Sequence, residues 1–214
     1  MHVRREWNGT ARLILATNVW AHMSDLHGSA AAAATLLHED GWLMVQAPWY
    51  RDIMLYGGWD TIYHEHVYYL GVRAMRRLFQ AHQMDVHHID YFPEVHGGSL
   101  RYWIRHGNDG MDESVERFEH IEVMSTVKGW VESGFQRWNS HVRNLVSALP
   151  KPLWAVGAAA KAVMLLAMTD SAPLISAVLD DTPQKIGRQF PGTPLVVQAL
   201  GGIKPPWPAS VLLT

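Results

Sequence analysis

Short apolar runs set between segments of helical periodicity constrain this chain more than any other feature. LILATNV (13–19) and WLMVQA (42–47) read as short buried strands, the second stopped by Pro48. Residues 27–38 between them are rich in alanine and other helix formers and end at the turn Glu39-Asp40-Gly41. Val72, Met75, Leu78 and Phe79 then fall on one face of a helix over 72–82, and 85–91 follows as a third strand. Alternation of this kind predicts an α/β fold with a mostly parallel, doubly wound, Rossmann-like sheet.

SLRYWIR (99–105), after the tight turn His96-Gly97-Gly98, reads as a last strand of that sheet. Val115, Phe118, Ile121, Val123, Val127 and Trp130 keep helical spacing within 112–149, with irregularities at Gly129 and Gly134, which predicts one or two connecting helices. Pro150-Lys151-Pro152 marks a boundary. Beyond it, LWAV, a turn at Gly157, a helix over 161–169, the strand LISAVLDD (174–181) and the terminal ASVLLT predict a second, small α/β unit. The expected organisation is an α/β domain over 1–108, connecting helices over 109–150 and the small unit over 151–214.

Composition narrows the function. A net charge of −2 leaves no broad basic surface, so nucleic acid is excluded as a partner. The longest apolar stretches, AAAATLL and AVMLLAM, are far shorter than the roughly 18 residues that span a bilayer. MHVRREWNGT carries no continuous apolar signal core, so the expected location is cytoplasmic, with no membrane partner. No cysteine occurs among the 214 residues, and any metal would need histidine and carboxylate ligands.

A parallel sheet presents its ligands outside the carboxyl ends of its strands. Asn18 and His22 stand at that end of the first strand, and Trp49 and Tyr50 at that end of the second. A lone histidine in such a place also serves as a cap or a core residue. The long loop that follows holds DTIYHEHVYY (60–69), which supports two chemistries. On an extended segment His64 and His66 face one side and would reach one ion, with His22 or His96 as a further ligand. The pair alone falls short of a metal set, and no metal ligands are assigned. Acid/base chemistry asks less: one imidazole takes a proton near neutral pH while tyrosine hydroxyls and a second imidazole hold a developing oxyanion.

NVWAHMSDL, WDTIYHEHVYYLGVRAMRRLF, VHGGSLRYWI, VGAAAKAVMLL and VLDDTPQKIGRQFPGTPLVV, collinear over about 12–198, resemble successive blocks of the sugar C-methyltransferases. The resemblance implies S-adenosyl-L-methionine as cofactor. It implies as substrate a nucleotide-linked 4-keto-deoxysugar, of the TDP-sugar type, methylated on carbon through an enolate. The general base it implies is His66, with Tyr63, Glu65 and His22 binding the sugar and stabilising the enolate. The chemistry is consistent: a carbon acid beside a ketone becomes a nucleophile when a base and an oxyanion partner act together. Methyl transfer then depends largely on positioning.

Other residues carry two readings each. Asn18 lines the methyl-donor pocket or is a strand-terminal turn residue. His64, Ser99 and Arg101 contact the substrate, with a solvated Arg101 on an alternating strand as the plainer alternative. The turn Gly157–Lys161 meets a diphosphate with its backbone N–H groups and the Lys161 charge, or is an ordinary βα turn. Asp180 and Asp181 stand near the spacing of a ribose-binding acid, or cap the following turn.

Complete members of the family begin with a cysteine-bearing zinc domain and then the glycine-rich loop that cradles the methyl donor. This sequence has no cysteine and no Gly-x-Gly pair. It therefore reads as the rear part of such an enzyme: a fragment, a subunit completed by another polypeptide, or a remnant that binds a nucleotide sugar without turning it over. A truncated sheet exposes strand edges, which predicts a homo-oligomer or a complementing polypeptide. A non-catalytic nucleotide-sugar-binding or scaffold protein and a His-x-His metal-dependent enzyme are the alternatives.

Overall fold

The computed structural model describes residues 5–107, 110–125, 128–202 and 208–213; Val127 of the expected helical face lies outside them. The chain divides into two units, one of residues 1–58 with 64–131 and one of residues 59–63 with 132–214. In the first unit β1 (Ala11–Thr17), β2 (Leu37–Pro48), β3 (Met84–Phe92) and β4 (Ser99–His106) form one sheet in the order β1-β2-β4-β3. β1 is parallel to β2, while β4 is antiparallel to both β2 and β3. Three strands thus share a direction and β4 is reversed between two of them. This α/β unit is mixed rather than mostly parallel because residues 93–98 are too few for the crossover that a parallel pair requires. A hairpin is what so short a connection allows.

α1 (Leu26–Leu36), α3 (Val72–Gln80) and α4 (Glu113–Ser125) share one core with the sheet. Val72, Met75, Leu78 and Phe79 of α3 are buried there with Leu43 and Val45 of β2 and Leu100, Tyr102 and Ile104 of β4. Alternation along β4 is as expected, with Arg101 and Trp103 on the opposite face. Each fully buried aliphatic or aromatic side chain contributes roughly 1.5–3 kcal/mol.

Three local readings change. The first strand lies at the sheet edge rather than buried, with Leu13 and Leu15 52% and 62% exposed. The turn Glu39-Asp40-Gly41 is a bulge inside β2, where the register jumps from Ala11 opposite Leu37 to Leu13 opposite Trp42. A Cβ at Gly41 would stand 2.6 Å from the Ala11 carbonyl, so the bulge needs glycine there. The loop after β2 also contains a helix, α2 (Tyr50–Tyr56), ended by Gly57 at φ +86°. A left-handed glycine after the last turn is a usual helix end.

In the second unit β5 (Leu153–Val156), β6 (Ile175–Leu179), β7 (Val197–Gln198) and β8 (Ser210–Leu213) form a wholly parallel sheet in the order β7-β6-β5-β8. α6 (Ala160–Met168) and the part of α5 (Lys128–Ala148) from Glu132 onward belong to this unit. Leu153, Ala155, Ala162, Leu166, Val178 and Phe190 form its core. Gly157 turns the chain from β5 towards α6 at φ +105°. No described helix is long and apolar enough to cross a membrane.

Candidate functional site

At the carboxyl end of β1 the chain must leave the sheet, and it does so through Asn18 at φ +53°. Asparagine tolerates this left-handed conformation better than most residues. Its N–H donates to the Gln46 carbonyl of β2 at 2.8 Å, and its Nδ2 donates to Nε2 of His96 in the β3–β4 turn at 3.3 Å. A short 3₁₀ turn, Trp20–His22, follows, anchored by the buried Trp20 indole against Phe79 at 5.5 Å.

That turn receives the segment carrying the histidine pair. The Val67 N–H donates to the Ala21 carbonyl at 2.9 Å, and Nδ1 of His22 donates to the Glu65 carbonyl at 2.8 Å. These two bonds hold residues 65–67 along the turn. The His22 and His66 rings consequently lie 4.8 Å apart at 55°, and His66 meets Tyr69 nearly edge-on at 6.1 Å.

His66 and Tyr69 line a narrow, mostly apolar cavity with Trp20, Pro48, Ile53, Met75 and Tyr102. Its enclosed space of about 20 Å³ admits a methyl-sized group rather than a whole sugar ring. Tyr102 is fully buried, and burial pushes its phenol well above the ordinary value, so it is neutral there.

The structure brings Asn18, His22, His66 and His96 to one end of the first sheet. His64 and Glu65 are exposed in a turn, with His64 Nε2 4.0 Å from a Glu65 carboxylate oxygen, so the segment is not extended at this point. Tyr63 closes the stretch 59–63 that belongs to the second unit. Ser99 is fully buried and donates to the Val95 carbonyl at 2.9 Å. Arg101 gives two bonds to Oε1 of Gln46, at 2.9 and 3.1 Å, and lies 4.4 Å over the Phe92 ring. Both side chains are engaged within the sheet.

Two acids that the sequence did not single out support the site. Asp52 is fully buried and accepts from Arg51 and from the Tyr91 hydroxyl, each at 2.6 Å. Its carboxylate fills the space beside Gly98, where a Cβ would stand 2.2 Å away, and so fixes the turn that presents His96. Glu122 of α4 accepts the first N–H of α3, from Val72, at 2.6 Å and the Trp49 indole N–H at 3.4 Å. Burial raises its pKa, against the opposing effect of these bonds.

In the second unit Lys161 is exposed in the first turn of α6. The Ala158 N–H donates to Asp180, which also accepts from the Thr182 N–H and from Lys185 at 2.9 Å. These donors hold the Asp180 carboxyl far below the ordinary range. Asp180 thus ties the β5–α6 turn to the loop after β6, the capping role among its two readings.

At the carboxyl end of β1, Oδ1 of Asn18 is buried and has no donor among the described residues. An orphaned buried acceptor is costly, and the amino and hydroxyl groups of S-adenosyl-L-methionine are donors of the type it lacks. For metals, the close set of three ligand atoms among the described residues is His38, Glu39 and Asp40 in the β2 bulge, which includes neither His64 nor His66.

The comparisons agree with this architecture. A family model described as the C-methyltransferase C-terminal domain matches residues 94–213, and a methyltransferase domain model matches residues 2–89. C-methyltransferase NovU of Streptomyces niveus is 34% identical over 96 residues, which are 44% of this chain and 22% of that protein. The chain therefore spans less than a quarter of that relative's length. A solved structure concerned with conversion of a disulfide bond into a thioacetal group during echinomycin biosynthesis covers 55% of this chain and 57% of its own at 12% identity. Its TM-score of 0.35 is too low to carry an argument. Methyltransferase families of this type use S-adenosyl-L-methionine. With more than half of its residues matched by the first model, the chain belongs to the C-methyltransferase family.

Proposed function

We propose that this chain carries the substrate-activating part of an enzyme that methylates a carbon of a nucleotide-linked 4-keto-deoxysugar. The imidazoles of His22 and His66, paired 4.8 Å apart with His66 lining a mostly apolar cavity, carry this reading. His66 takes the proton beside the ketone, the developing enolate oxygen accepts hydrogen bonds from Tyr63 and from the Nε2–H of His22 in its imidazolium form, and Glu65 binds the sugar. The exposed His64 and Lys161 serve the outer parts of the substrate, while Ser99 and Arg101, engaged within the sheet, support the site without touching the substrate. Asn18 holds the methyl donor through its unpartnered Oδ1. S-adenosyl-L-methionine, when bound, supplies the activated methyl group. The largely apolar cavity wall of Trp20, Met75 and Tyr102 shields the reacting carbon from water.

The reading names the cytoplasm as its place of action and a second copy or complementing polypeptide as its partner. Titration calorimetry with S-adenosylhomocysteine tests the donor site. Micromolar binding at one site per chain, weakened in Asn18→Ala, supports it; equal binding by Asn18→Ala, or none by the wild-type chain, contradicts the assignment.

A further inference from the structure

A second hollow opens beside the His66 cavity, and Tyr69 lines both. It is a cleft of about 520 Å³ between α3 and α4, walled by Tyr50, Tyr69, Arg73, Arg77 and Glu122. Gly71 forms part of its lining, where the Tyr50 ring and the Glu122 carboxylate approach so closely that a Cβ would lie within 2.4 Å of both.

The charges on α3 are unevenly placed, with Arg77 in the last turn, where a cation is favoured, and the others unbalanced by any acid on the helix. VRAMRRLFQ holds three arginines and no acid. Arg73 stands in the first turn, where the helix dipole disfavours a cation, and it is four residues from Arg77, a like-charged neighbour on the same face. Arg76 is neutralised by Asp85 of β3 at 3.2 Å and Glu119 of α4 at 2.8 Å. Arg73 shares Glu119 only at 3.6 Å, and Arg77 has no acidic partner among the described residues. Glu122, whose Oε2 accepts from the Val72 N–H and the Trp49 indole, offsets one of these two charges. Two exposed guanidinium forks therefore line one cleft whose charged lining residues, Arg73, Arg77 and Glu122, leave one net positive charge, and such forks match phosphate oxygens.

We propose that this cleft seats the diphosphate of the substrate, held by Arg73 and Arg77, with the sugar passing Tyr69 to reach His66. The assignment rests on the nucleotide-sugar reading above and adds to it the place of the anion. Charged forks at the cleft and a neutral, apolar wall at the cavity sort the two ends of such a ligand. Tyr69 stands at the junction, 6.1 Å from the His66 ring.

The test is titration calorimetry of the full chain with thymidine diphosphate and, separately, with inorganic pyrophosphate. Arg73→Gln/Arg77→Gln should weaken both ligands at least about tenfold, since hydrogen bonds to charged groups are the strong ones. Raised salt should weaken the wild-type chain more than the double variant. Arg73→Lys/Arg77→Lys should recover part of the affinity. An unchanged urea midpoint shows that the double variant is folded. Equal affinity of wild-type and double variant overturns the proposal, as does a wild-type chain that binds neither probe at millimolar concentration. Loss of diphosphate binding in the double variant, in an enzyme that nevertheless exchanges no proton beside a ketone, keeps this site and removes the C-methylation reading instead.

Discussion

Nδ1 of His22 stands 2.8 Å from the carbonyl oxygen of Glu65. A carbonyl only accepts, so His22 donates from Nδ1, and its neutral form carries the lone pair on Nε2. The bond also fixes the backbone immediately before His66, whose ring faces that of His22. The orientation of one imidazole is thus set by the other.

His22→Phe keeps a ring beside His66 but removes the donor. Proton abstraction by the active enzyme should fall roughly 10²-fold, within the usual range for acid/base partners. The bond is exposed, so urea unfolding should change by no more than about 1 kcal/mol. Loss of activity matched by equal loss of fold would contradict a role in the chemistry.

Gly98 stands at φ +120° with the Asp52 carboxylate 2.2 Å from where a Cβ would be. Gly98→Ala should destabilise the chain by about 2–4 kcal/mol, combining backbone strain with displacement of a buried acid. The urea midpoint at constant slope measures it. A change under 1 kcal/mol, by the same strain argument, would show that the turn is free to move.

The Tyr91 phenol is pushed up to about 12 by burial and by its bond to Asp52, from an ordinary 10.0. Because the folded value is the higher one, the associated stability is complete below pH 10 and is lost between about pH 10 and 12. Tyr91→Phe should flatten the stability profile in that window. An unchanged slope would assign the alkaline loss to other groups.

His88 lies between two carboxylates, with Nδ1 2.5 Å from Asp112 and Nε2 3.1 Å from Asp90. The bond to Asp112 raises its pKa above 6.5 against an opposing effect of burial, and Asp90 adds to the rise. The stability it contributes is full below pH 6.5 and falls as pH rises through the higher folded value. His88→Gln should remove that fall, as read by thermal unfolding across neutral pH; a profile parallel to wild type would rule the imidazolium out.

Much of this was legible in the sequence because core periodicity is written locally. The face Val72, Met75, Leu78 and Phe79, the strand LWAV and the inward alternation of Leu100 and Tyr102 all follow from spacing alone. Strand direction was not local: β4 is reversed because its link to β3 is short, a matter of pairing partners rather than residue types. The histidines were visible as a cluster, and their meeting needed the turn Trp20–His22 to bring position 22 to position 66. Asp52 and Glu122 were passed over because a buried acid shows itself through distant partners, Tyr91 and Val72, that no spacing rule connects. The Arg73–Arg77 pair carried a signal that spacing does reveal, two like charges at i and i+4 with no acid on the helix.

The central claim is that His66 removes the proton beside the ketone, and solvent deuterium exchange at that carbon tests it most directly. In the active enzyme His66→Ala should abolish exchange while thymidine diphosphate binding stays within about twofold of wild type, as expected for a group that acts on the reacting carbon and not on the nucleotide. Exchange retained at the wild-type rate in His66→Ala would contradict the account and assign the base to another residue.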